Sequence, residues 1–400
     1  MQNNSLVRTF AILFCFVSLY QLSFTFISSY QENKATEYAA TLISEDSPDY
    51  IELREIVKNN YLDSIGQVPI SFFTSYDDAK TKELNRGLDL EGGINVILQI
   101  SVKDVLKGLS ENSKDPSFNQ ALENADELQK QTNDPYIESF FLAFESLSDN
   151  LKLASPSIFA NRTLSDEINF EMQNEEVKSI LTKKVDESIV SAFEVLRKRI
   201  DKFGVTQPNI QRLGNSGRIL VELPGAKDVE RIKKLLGKTA ELNFRLVSEN
   251  NEFGVEILKS EIEEDLNVSK RIVMSGENLI DAQPRLDNRS NQPIVSFTLD
   301  RLGAQKFGKS TSSNVGKRIA IVLDNNLISA PQIKEPITGG SGIITGNFDF
   351  QEVTDLALLL RSGALPTPLN VVEERTVGPD LGEDSIKSGT ISLIVGFLLV

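Results

Sequence analysis

The sequence predicts an α+β protein in which an antiparallel sheet with two helices receives a second α+β unit as an insertion, between two apolar terminal segments. The first observation is alternation, because apolar residues recur at every second position in the predicted strands at 94–100, 218–223 and 242–246, with a further short strand predicted at 210–213. The second is helical spacing, with apolar residues three and four apart in two segments, at 185–203 and 229–236. The resulting order, β-α-β-β-α-β, is that of a ferredoxin-like sheet unit.

Composition excludes several classes of function. The chain has 400 residues, with 42 Lys and Arg against 57 Asp and Glu, which gives a net charge of −15. A nucleic-acid-binding protein needs a basic face to displace counterions, so we expect no nucleic-acid partner. The single cysteine, Cys15, cannot form an intramolecular disulfide, and the absence of histidine removes histidine-dependent catalysis and histidine metal ligands. This inventory argues against hydrolytic enzymes, and we expect no catalytic residues, no metal and no cofactor.

An apolar segment at residues 6–27 predicts a transmembrane helix in the first region of the chain, 1–30. About 20 apolar residues cross a bilayer, whereas the apolar part of a cleaved signal peptide is usually about 7–15 residues long. The length of the segment therefore favours an uncleaved anchor over a signal peptide. Arg8 places the N-terminus on the cytoplasmic side.

A second apolar segment closes the sequence. Counting from Ile386, 15 residues remain, which is too few to cross a bilayer. We expect residues 385–400 to be the start of a second transmembrane helix, truncated here, of a longer membrane protein. A buried C-terminal helix is the alternative.

Two regions of different composition follow the first apolar segment. Residues 31–102 are predicted to form a polar stalk, with a helix at 50–61, that leads to the first strand. Gly92 and Gly93 precede this strand and supply backbone freedom or room for a close approach. Residues 103–183 are acidic and have helical periodicity interrupted by prolines, which predicts a helical insertion whose charges form a solvated face.

Residues 184–250 are predicted to complete the first sheet unit. Gly204 supplies a left-handed cap at the end of the long helix. A turn at 214–217 joins two strands into a hairpin, and Pro224-Gly225 ends the second of them.

A second unit is predicted at residues 251–346, on the side away from the bilayer. It combines a strand at 294–299, a helix at 301–312 and a strand at 318–323. A glycine-rich loop at 338–342 closes it.

Residues 347–384 are predicted to return to the first unit. A capping box at Asp349 begins a helix at 351–362, and Gly363 ends that helix. A strand at 369–375 then leads back toward the membrane.

Residues 303–310 match the pattern G-x-x-x-x-G-K-S of a nucleotide-binding loop. Their interior residues are helix formers rather than a glycine-rich nest. Only eight residues separate Ser310 from the next strand at Ile319, too few for the crossover of a parallel βαβ unit. We favour an ordinary helix, and a nucleotide-hydrolysing enzyme stays as an alternative.

Several motifs together resemble the SecD family, which are accessory subunits of the bacterial Sec protein-export machinery. The similarity runs in order through residues 85–100 and 184–400 and leaves the insertion outside it. The residues of these motifs, taken as structural, are Gly87, Leu88, Asp89, Gly92, Gly93, Arg199, Asp201, Gly204, Pro208, Gln211, Pro224, Gly225, Arg361, Gly363, Gly378, Pro379 and Gly382. Residues 20–24 and the insertion resemble the form in which SecD is fused to SecF.

The resemblance implies a multi-pass protein of the bacterial inner membrane with most of this chain in the periplasm. It implies a base, the ferredoxin-like unit, and a head, the inserted unit, which holds the emerging unfolded preprotein and swings relative to the base, driven by the proton motive force. The implied partners are the SecYEG channel, SecF (separate or fused), YajC, YidC and membrane lipids. The family's proton-carrying acid lies in a later membrane helix, so no carboxylate of this chain inherits that role.

Candidate hinges and preprotein-contact residues are predicted from the residues themselves. Gly339, Gly340 and Gly342 form a loop that can move or accept an extended peptide, and an ordinary turn is an equally open alternative. Pro224-Gly225 and residues 363–368 are candidate hinges, since the chain changes direction there. We expect preprotein contact through apolar patches and sheet edges. A periplasmic scaffold that only tethers other complexes is a further alternative.

Overall fold

The structure is a computed structural model. It describes residues 4–44, 50–71, 74–83, 92–132, 134–148, 150–203, 208–214, 216–226, 228–248, 254–258, 266–287 and 290–377, with short helical pieces at 388–389, 391–392 and 395–396. Residue contacts divide the chain into two units, 1–86 and 87–400, each of which is described by itself. The predicted second transmembrane helix, 385–400, lies mostly outside the described residues and stays a prediction.

The first unit is built on α1 (Asn4–Leu42), a helix of 39 residues. Residues 31–42 contain helix formers such as Ala35 and Ala39 and neither glycine nor proline, so the helix continues beyond residue 30. The predicted stalk therefore begins as a continuation of the same helix. Among the described residues, α1 is the one helix long and apolar enough to cross a membrane, a test that a signal sequence also passes.

The rest of the first unit packs against the second half of α1. Its other elements are α2 (Tyr50–Ile65), β1 (Pro69–Ser71), β2 (Thr74–Ser75) and α3 (Tyr76–Lys82). The helix predicted at 50–61 is confirmed as α2. Ala35, Leu62 and Tyr76 form a small core between the three helices. Glu32 accepts hydrogen bonds from Tyr76 Oη at 3.2 Å and Lys80 Nζ at 2.6 Å, which fixes α3 to α1.

The second unit mixes strands and helices along its whole length. Its strands are β3 (Gly93–Ile100), β4 (Asn209–Leu213), β5 (Arg218–Pro224), β6 (Leu242–Val247), β7 (Val255–Leu258), β8 (Leu266–Ser275), β9 (Leu279–Leu286), β10 (Pro293–Leu299), β11 (Ile319–Leu323), β12 (Asn326–Ser329), β13 (Ser341–Ile344) and β14 (Leu369–Val377). Its helices are α4 (Val102–Leu109), α5 (Pro116–Gln131), α6 (Tyr136–Leu147), α7 (Asn174–Lys202), α8 (Val229–Gly237), α9 (Arg301–Ser313) and α10 (Phe350–Ser362).

Four strands form an antiparallel sheet in the order β14-β3-β5-β4. The central strand β3 turns Ile94, Val96, Leu98 and Ile100 to one face, and none of them is more than 1% exposed. The apolar stripes of α7 and α8 cover this face and share its core. We call this sheet with α7 and α8 the base.

The strand predicted at 242–246 exists as β6, but its predicted place in the base sheet is wrong. β6 lies at the centre of a five-stranded sheet in the order β12-β11-β6-β8-β7, with Phe244 opposite Ile321. The fourth strand of the base is β14, in which Val371 lies opposite Leu98 of β3. Alternation shows which side of a strand is buried, but it does not show which strand lies beside it.

The predicted helical insertion packs onto the base. Pro116 begins α5 after the cap residue Asp115, and Pro135 caps α6, so two of the predicted breaks are helix starts. The core of the insertion is continuous with that of the base and contains Phe118, Phe140, Phe144 and Phe159. α7 begins at Asn174, so the predicted boundary between 183 and 184 falls inside a helix.

The elements from β6 to α10 form a separate lobe, which we call the head. A three-stranded sheet, β13-β10-β9, packs with the five-stranded sheet around Phe244, Phe297 and Phe307, whose ring centroids lie 5.3–6.2 Å apart. The predicted strands and helices at 294–299, 301–312, 318–323 and 351–362 are confirmed as β10, α9, β11 and α10. β6 and α10 contribute to the same core, while the domain limits at 250 and 346 remain predictions.

Candidate functional site

Two chain segments connect the base to the head, and they lie side by side. Residues 238–241, the first crossing, run from α8 to β6, and residues 363–368, the second crossing, run from α10 to β14. The Leu365 amide donates a hydrogen bond to the Thr239 carbonyl at 2.8 Å. The base and head are therefore joined at one junction made of both crossings.

Arg199 of α7 lies at the centre of this junction. Its side chain is fully buried. Six hydrogen bonds leave its guanidinium group for Ser362 Oγ (3.2 Å) and the carbonyl oxygens of Leu235 (3.0 Å), Leu236 (3.3 Å), Lys238, Thr239 (3.2 Å) and Gly363 (3.2 Å). Arginine has five N–H donors in a rigid plane, so one side chain can hold both crossings at once.

The acceptors of Arg199 explain how a buried charge is tolerated there. They are neutral groups at the C-terminal ends of α8 and α10, where carbonyls lack partners within the helix and carry a negative partial charge. Burial lowers the pKa of Arg199 to about 10, with Asp324 acting in the opposite direction. The guanidinium therefore stays protonated at neutral pH and stabilises two helix ends.

Asp324 holds the first crossing from the head side. Its carboxylate accepts hydrogen bonds from Thr239 Oγ1 at 2.5 Å, the Ala240 amide at 3.1 Å and the Glu241 amide at 2.8 Å. Asp324 lies in the tight turn between β11 and β12 with a φ of +50°, a conformation that Asp and Asn accept more readily than other residues. The first crossing is thus hydrogen-bonded both to Asp324 of the head and to Arg199 of the base.

A second contact between the lobes lies at the protein surface. Arg231 of α8 donates from Nε at 2.9 Å and from Nη2 at 2.6 Å to one carboxylate oxygen of Asp355 in α10. The two side chains are 35% and 22% exposed. Burial raises the pKa of Asp355 above its usual range, and Arg231 partly offsets this. Both side chains of this ion pair can therefore be reached by water.

Comparison with known proteins shows which family the chain resembles. Residues 255–367 match the family model described as the SecDF P1 head subdomain, and residues 189–249 match the N-terminal part of the P1 domain of the protein translocase subunit SecDF. The chain is 40% identical over 338 residues to the protein translocase subunit SecD of Acetobacter pasteurianus and 36% identical over 341 residues to that of Rickettsia prowazekii. This chain belongs to the SecD family.

The matches cover most of this chain and a smaller share of its relatives. The alignments take in 80% and 79% of the chain but only 64% and 63% of the Acetobacter and Rickettsia proteins. A crystal structure of SecDF in a super-membrane-facing form is 28% identical, covers 79% of this chain and 34% of that one, and has a TM-score of 0.47.

The SecD-family motif residues fall into separate clusters, of which the junction is one. Arg199 and Gly363 meet there, since the Gly363 carbonyl accepts a hydrogen bond from the arginine. Gly363 ends α10 with a φ of +90°, which confirms the predicted helix end. Arg361 is close in sequence but points into the head, where its Nε lies 2.9 Å from Asp281 Oδ1 on β9.

A second cluster lies at the opposite end of β3 from the second crossing. Gly225 donates its amide to the Gly92 carbonyl at 3.0 Å, and Gly93 lies opposite Pro224 in the sheet. Gly93 has a φ of +124°, and a Cβ placed on it would lie 2.2 Å from the Leu223 carbonyl oxygen. These residues form a close approach of two backbones, and the hinge proposed for Pro224-Gly225 is not part of the junction.

The other motif residues are not brought to either cluster. Asp201 is exposed near the end of α7, Pro208 directly precedes β4, and Gln211 of β4 donates to Asn209 Oδ1 at 3.1 Å. Gly87, Leu88, Asp89, Gly204, Gly378, Pro379 and Gly382 lie outside the described residues. Their roles stay predictions.

The glycine loop of the head has two packed members and one open one. A Cβ on Gly342 would lie 2.5 Å from the Phe297 ring, and one on Gly340 would lie 3.0 Å from Ala304 Cβ. The Gly340 carbonyl also accepts a hydrogen bond from the Leu299 amide at 2.7 Å. Only Gly339 faces open space. This packing favours the ordinary turn over a moving loop.

The nucleotide-loop pattern at 303–310 lies inside α9, as its helix-forming residues predict. Asp300 caps this helix by accepting the Gly303 amide at 2.6 Å, so the residues form a capped helix instead of a phosphate-binding nest. In the parts of the chain that the structure describes, no three Cys, Asp or Glu side chains meet in a group that could hold a metal ion.

Sequence reasoning missed the partners of Arg199 and the ion pair between the lobes. The resemblance marked Arg199, and its position beside Leu196 and Ile200 on the apolar face of α7 was a signal that this charge is buried. Asp324, followed by Asn325, gave a turn signal between two strands. Nothing in the sequence pairs Arg231 with Asp355, since they lie on different lobes.

Proposed function

We propose that this chain is part of an accessory subunit of the bacterial Sec protein translocase and that it assists the movement and release of preproteins across the inner membrane. The observation that carries the proposal is identity of 36–40% to proteins named protein translocase subunit SecD. Because the chain spans less than two thirds of those relatives, the activity of the whole protein is inferred from them. We propose that the proton motive force acts through membrane helices outside this chain.

We propose a two-lobed mechanism in which the head handles the preprotein and turns relative to the base. Support comes from the junction, because two crossings held side by side let one lobe pivot without separating the chain. We also infer that the base is ferredoxin-like. If the strands of the base are counted in chain order, its sheet has the order 4-1-3-2 and the head interrupts the unit before its last strand.

We propose that α1 anchors the protein in the inner membrane and that the bulk of the chain lies in the periplasm. The first half of α1 supports contact with lipids, since Phe10, Phe14 and Phe16 are each more than 60% exposed. SecYEG, SecF, YajC and YidC are the proposed partners. The extended preprotein is expected to meet sheet edges such as β13, next to Gly339.

The test removes the head at the junction, where its two ends are adjacent. A short glycine linker from Thr239 to Leu365 can replace the head, because the backbones of these residues are already hydrogen-bonded at 2.8 Å. In the full protein, we expect a folded base and slower release of secreted proteins in a pulse-chase experiment. Unchanged secretion kinetics with a membrane-inserted variant would remove the head from the mechanism and favour a scaffold.

A protease experiment tests the location separately. Protease added to intact spheroplasts should digest the region between α1 and residue 385 if it is periplasmic. Protection of this region in spheroplasts, with digestion after lysis, would place it in the cytoplasm and contradict the proposal.

A further inference from the structure

Two of the polar contacts at the boundary between the base and the head differ in burial. Arg199 is fully buried and makes six hydrogen bonds to both crossings. The pair Arg231–Asp355 is 35% and 22% exposed and joins α8 to α10 away from the crossings. The first contact is costly to break because buried polar groups would lose their partners, and the second is cheap because water can replace each partner.

We propose that Arg199 is a positioning residue that keeps the two crossings together as one pivot, and that the Arg231–Asp355 pair is a latch that opens when the head turns about this pivot. The proposal rests on the function proposed above, which requires the head to move. It assigns separate roles to two arginines that belong to the same lobe.

The pivot role follows from what Arg199 holds. Its Nη1 bonds the end of α8, its Nε bonds Ser362 of α10, and its Nη2 bonds Thr239 and Gly363, one residue from each crossing. The hydrogen bond between Leu365 and Thr239 adds a direct tie between the crossings. A turn of the head can preserve these short contacts only if its axis passes close to them.

The latch role follows from distance along α10. Asp355 precedes Ser362 by seven residues, so it lies about 10 Å from the pivot along the helix axis. A rotation of about 20° around the pivot would move Asp355 by about 3.5 Å, which takes it out of hydrogen-bond range of Arg231. Gln351 donates to the same Asp355 oxygen at 3.1 Å and moves with it, since both belong to α10.

The chain supplies a matched control on α8 for the latch. Lys233, two residues after Arg231, forms a comparable ion pair with Glu374 at 2.9 Å, with side chains 21% and 32% exposed. Glu374 belongs to β14, so both partners lie in the base. Removing this pair changes the same helix by a similar amount without touching the contact between the lobes.

The latch is tested by distances between spin labels in the full chain in lipid nanodiscs. Labels at Arg218→Cys in the base and Lys306→Cys in the head, both exposed positions, are placed in a Cys15→Ser background. We expect Asp355→Asn to broaden the distribution of distances, while Lys233→Gln leaves it as in the parent. Equal distributions for Asp355→Asn and Lys233→Gln would overturn the latch.

The pivot is tested by hydrogen exchange at the crossings. Arg199→Lys keeps the charge but loses the planar array of guanidinium N–H donors. In this variant we expect the amides of Leu365, Ala240 and Glu241 to exchange about tenfold faster, all by a similar factor. We also expect the distribution of spin-label distances to broaden. A merely structural role predicts faster exchange throughout, including β3. Either uniform acceleration or unchanged crossings would overturn the pivot.

Hydrogen exchange in two further variants separates the pivot from the latch. Should Arg199→Lys fail to fold, Ser362→Ala removes one acceptor of Nε and is expected to give the same local pattern with a smaller increase. In Asp355→Asn the crossings should keep parental exchange rates, and acceleration there would contradict separate roles. None of these readouts depends on secretion. If the pivot and latch variants behave as expected but removal of the head leaves secretion unchanged, only the proposed function is rejected.

Discussion

At the scale of the residue, Gly93 shows how the family motif is fixed by geometry. The residue begins β3 with a φ of +124°, which side chains of L-residues rarely adopt. It also lies where β3 meets the end of β5, so a Cβ would meet the Leu223 carbonyl oxygen at 2.2 Å. Backbone strain and steric overlap would therefore both arise from a Cβ at this position.

We predict that Gly93→Ala lowers the free energy of unfolding of the chain by about 2 kcal/mol or more, because the new methyl group is strained and has no space. Urea denaturation followed by circular dichroism measures it. Gly339→Ala is the matched control, since that glycine faces open space, and it should change stability by less than about 0.5 kcal/mol. Equal stability of the two variants would show that the start of β3 relaxes around the methyl group.

The family motif marked Gly92, Gly93 and Arg199 as structural residues, but their contacts could not be predicted from the sequence. The two glycines indicated backbone freedom or a close approach of another backbone, but the sequence did not show that Pro224 and Gly225 supply that backbone. The apolar neighbours of Arg199 on α7 indicated burial. Its acceptors lie at the ends of two helices far along the chain, and helix ends expose their carbonyls in every sequence alike.

At the scale of the element, α8 and α10 are joined by a carboxylate whose pKa departs from its usual range. Burial raises the pKa of Asp355 above the value of 3.8, while Arg231 and Lys238 act in the opposite direction. Because the folded-state pKa lies above the unfolded one, the contribution of this group to stability is fully present below pH 3.8 and is lost as the pH rises through the folded-state pKa. Protonation therefore weakens the ion pair without weakening the fold through this group.

We predict that acidification from about pH 7 to about pH 4 opens the latch at a higher pH than an ordinary aspartate would allow. The distance distribution between the labelled base and head should broaden as Asp355 takes up its proton. In Asp355→Asn the distribution should already be broad and stay the same across this range. A parental distribution that broadens identically in both proteins would assign the pH dependence to another group.

The elements themselves were largely predictable, and their neighbours were not. Alternation gave β3, β5, β6 and β10, and three-and-four spacing gave α7, α8 and α10. The base sheet was completed with the wrong strand because β6 follows α8 directly, and strands adjacent in sequence are often neighbours in a sheet. The true fourth strand, β14, is mostly exposed and lies beyond the whole head, so its own pattern gave no sign of pairing with β3.

At the scale of the whole molecule, α1 divides into two halves with different surroundings. Residues of the first half, such as Phe10, Phe14 and Phe16, are exposed, whereas Ser28, Gln31 and Ala35 in the second half are buried by the rest of the first unit. This apolar surface is long enough to cross a bilayer, a test that a signal sequence also passes, and the proposed anchor would place lipid around it. The apolar segment could be predicted from the sequence, whereas the continuation of the helix to Leu42 is seen only in the structure.

Cys15 lies in the exposed apolar half of α1, next to Phe14 and Phe16, and tests the position of the membrane without any mutation. If this half crosses the bilayer, a membrane-impermeant maleimide should label Cys15 slowly in intact vesicles. An Asn33→Cys variant in a Cys15→Ser background should react quickly, since Asn33 is exposed in the second half of the same helix. After denaturation in detergent both thiols should react equally. Labelling of Cys15 as fast as at position 33 in intact vesicles would place this half in water, and no labelling even after denaturation would mean that the segment had been cleaved as a signal peptide.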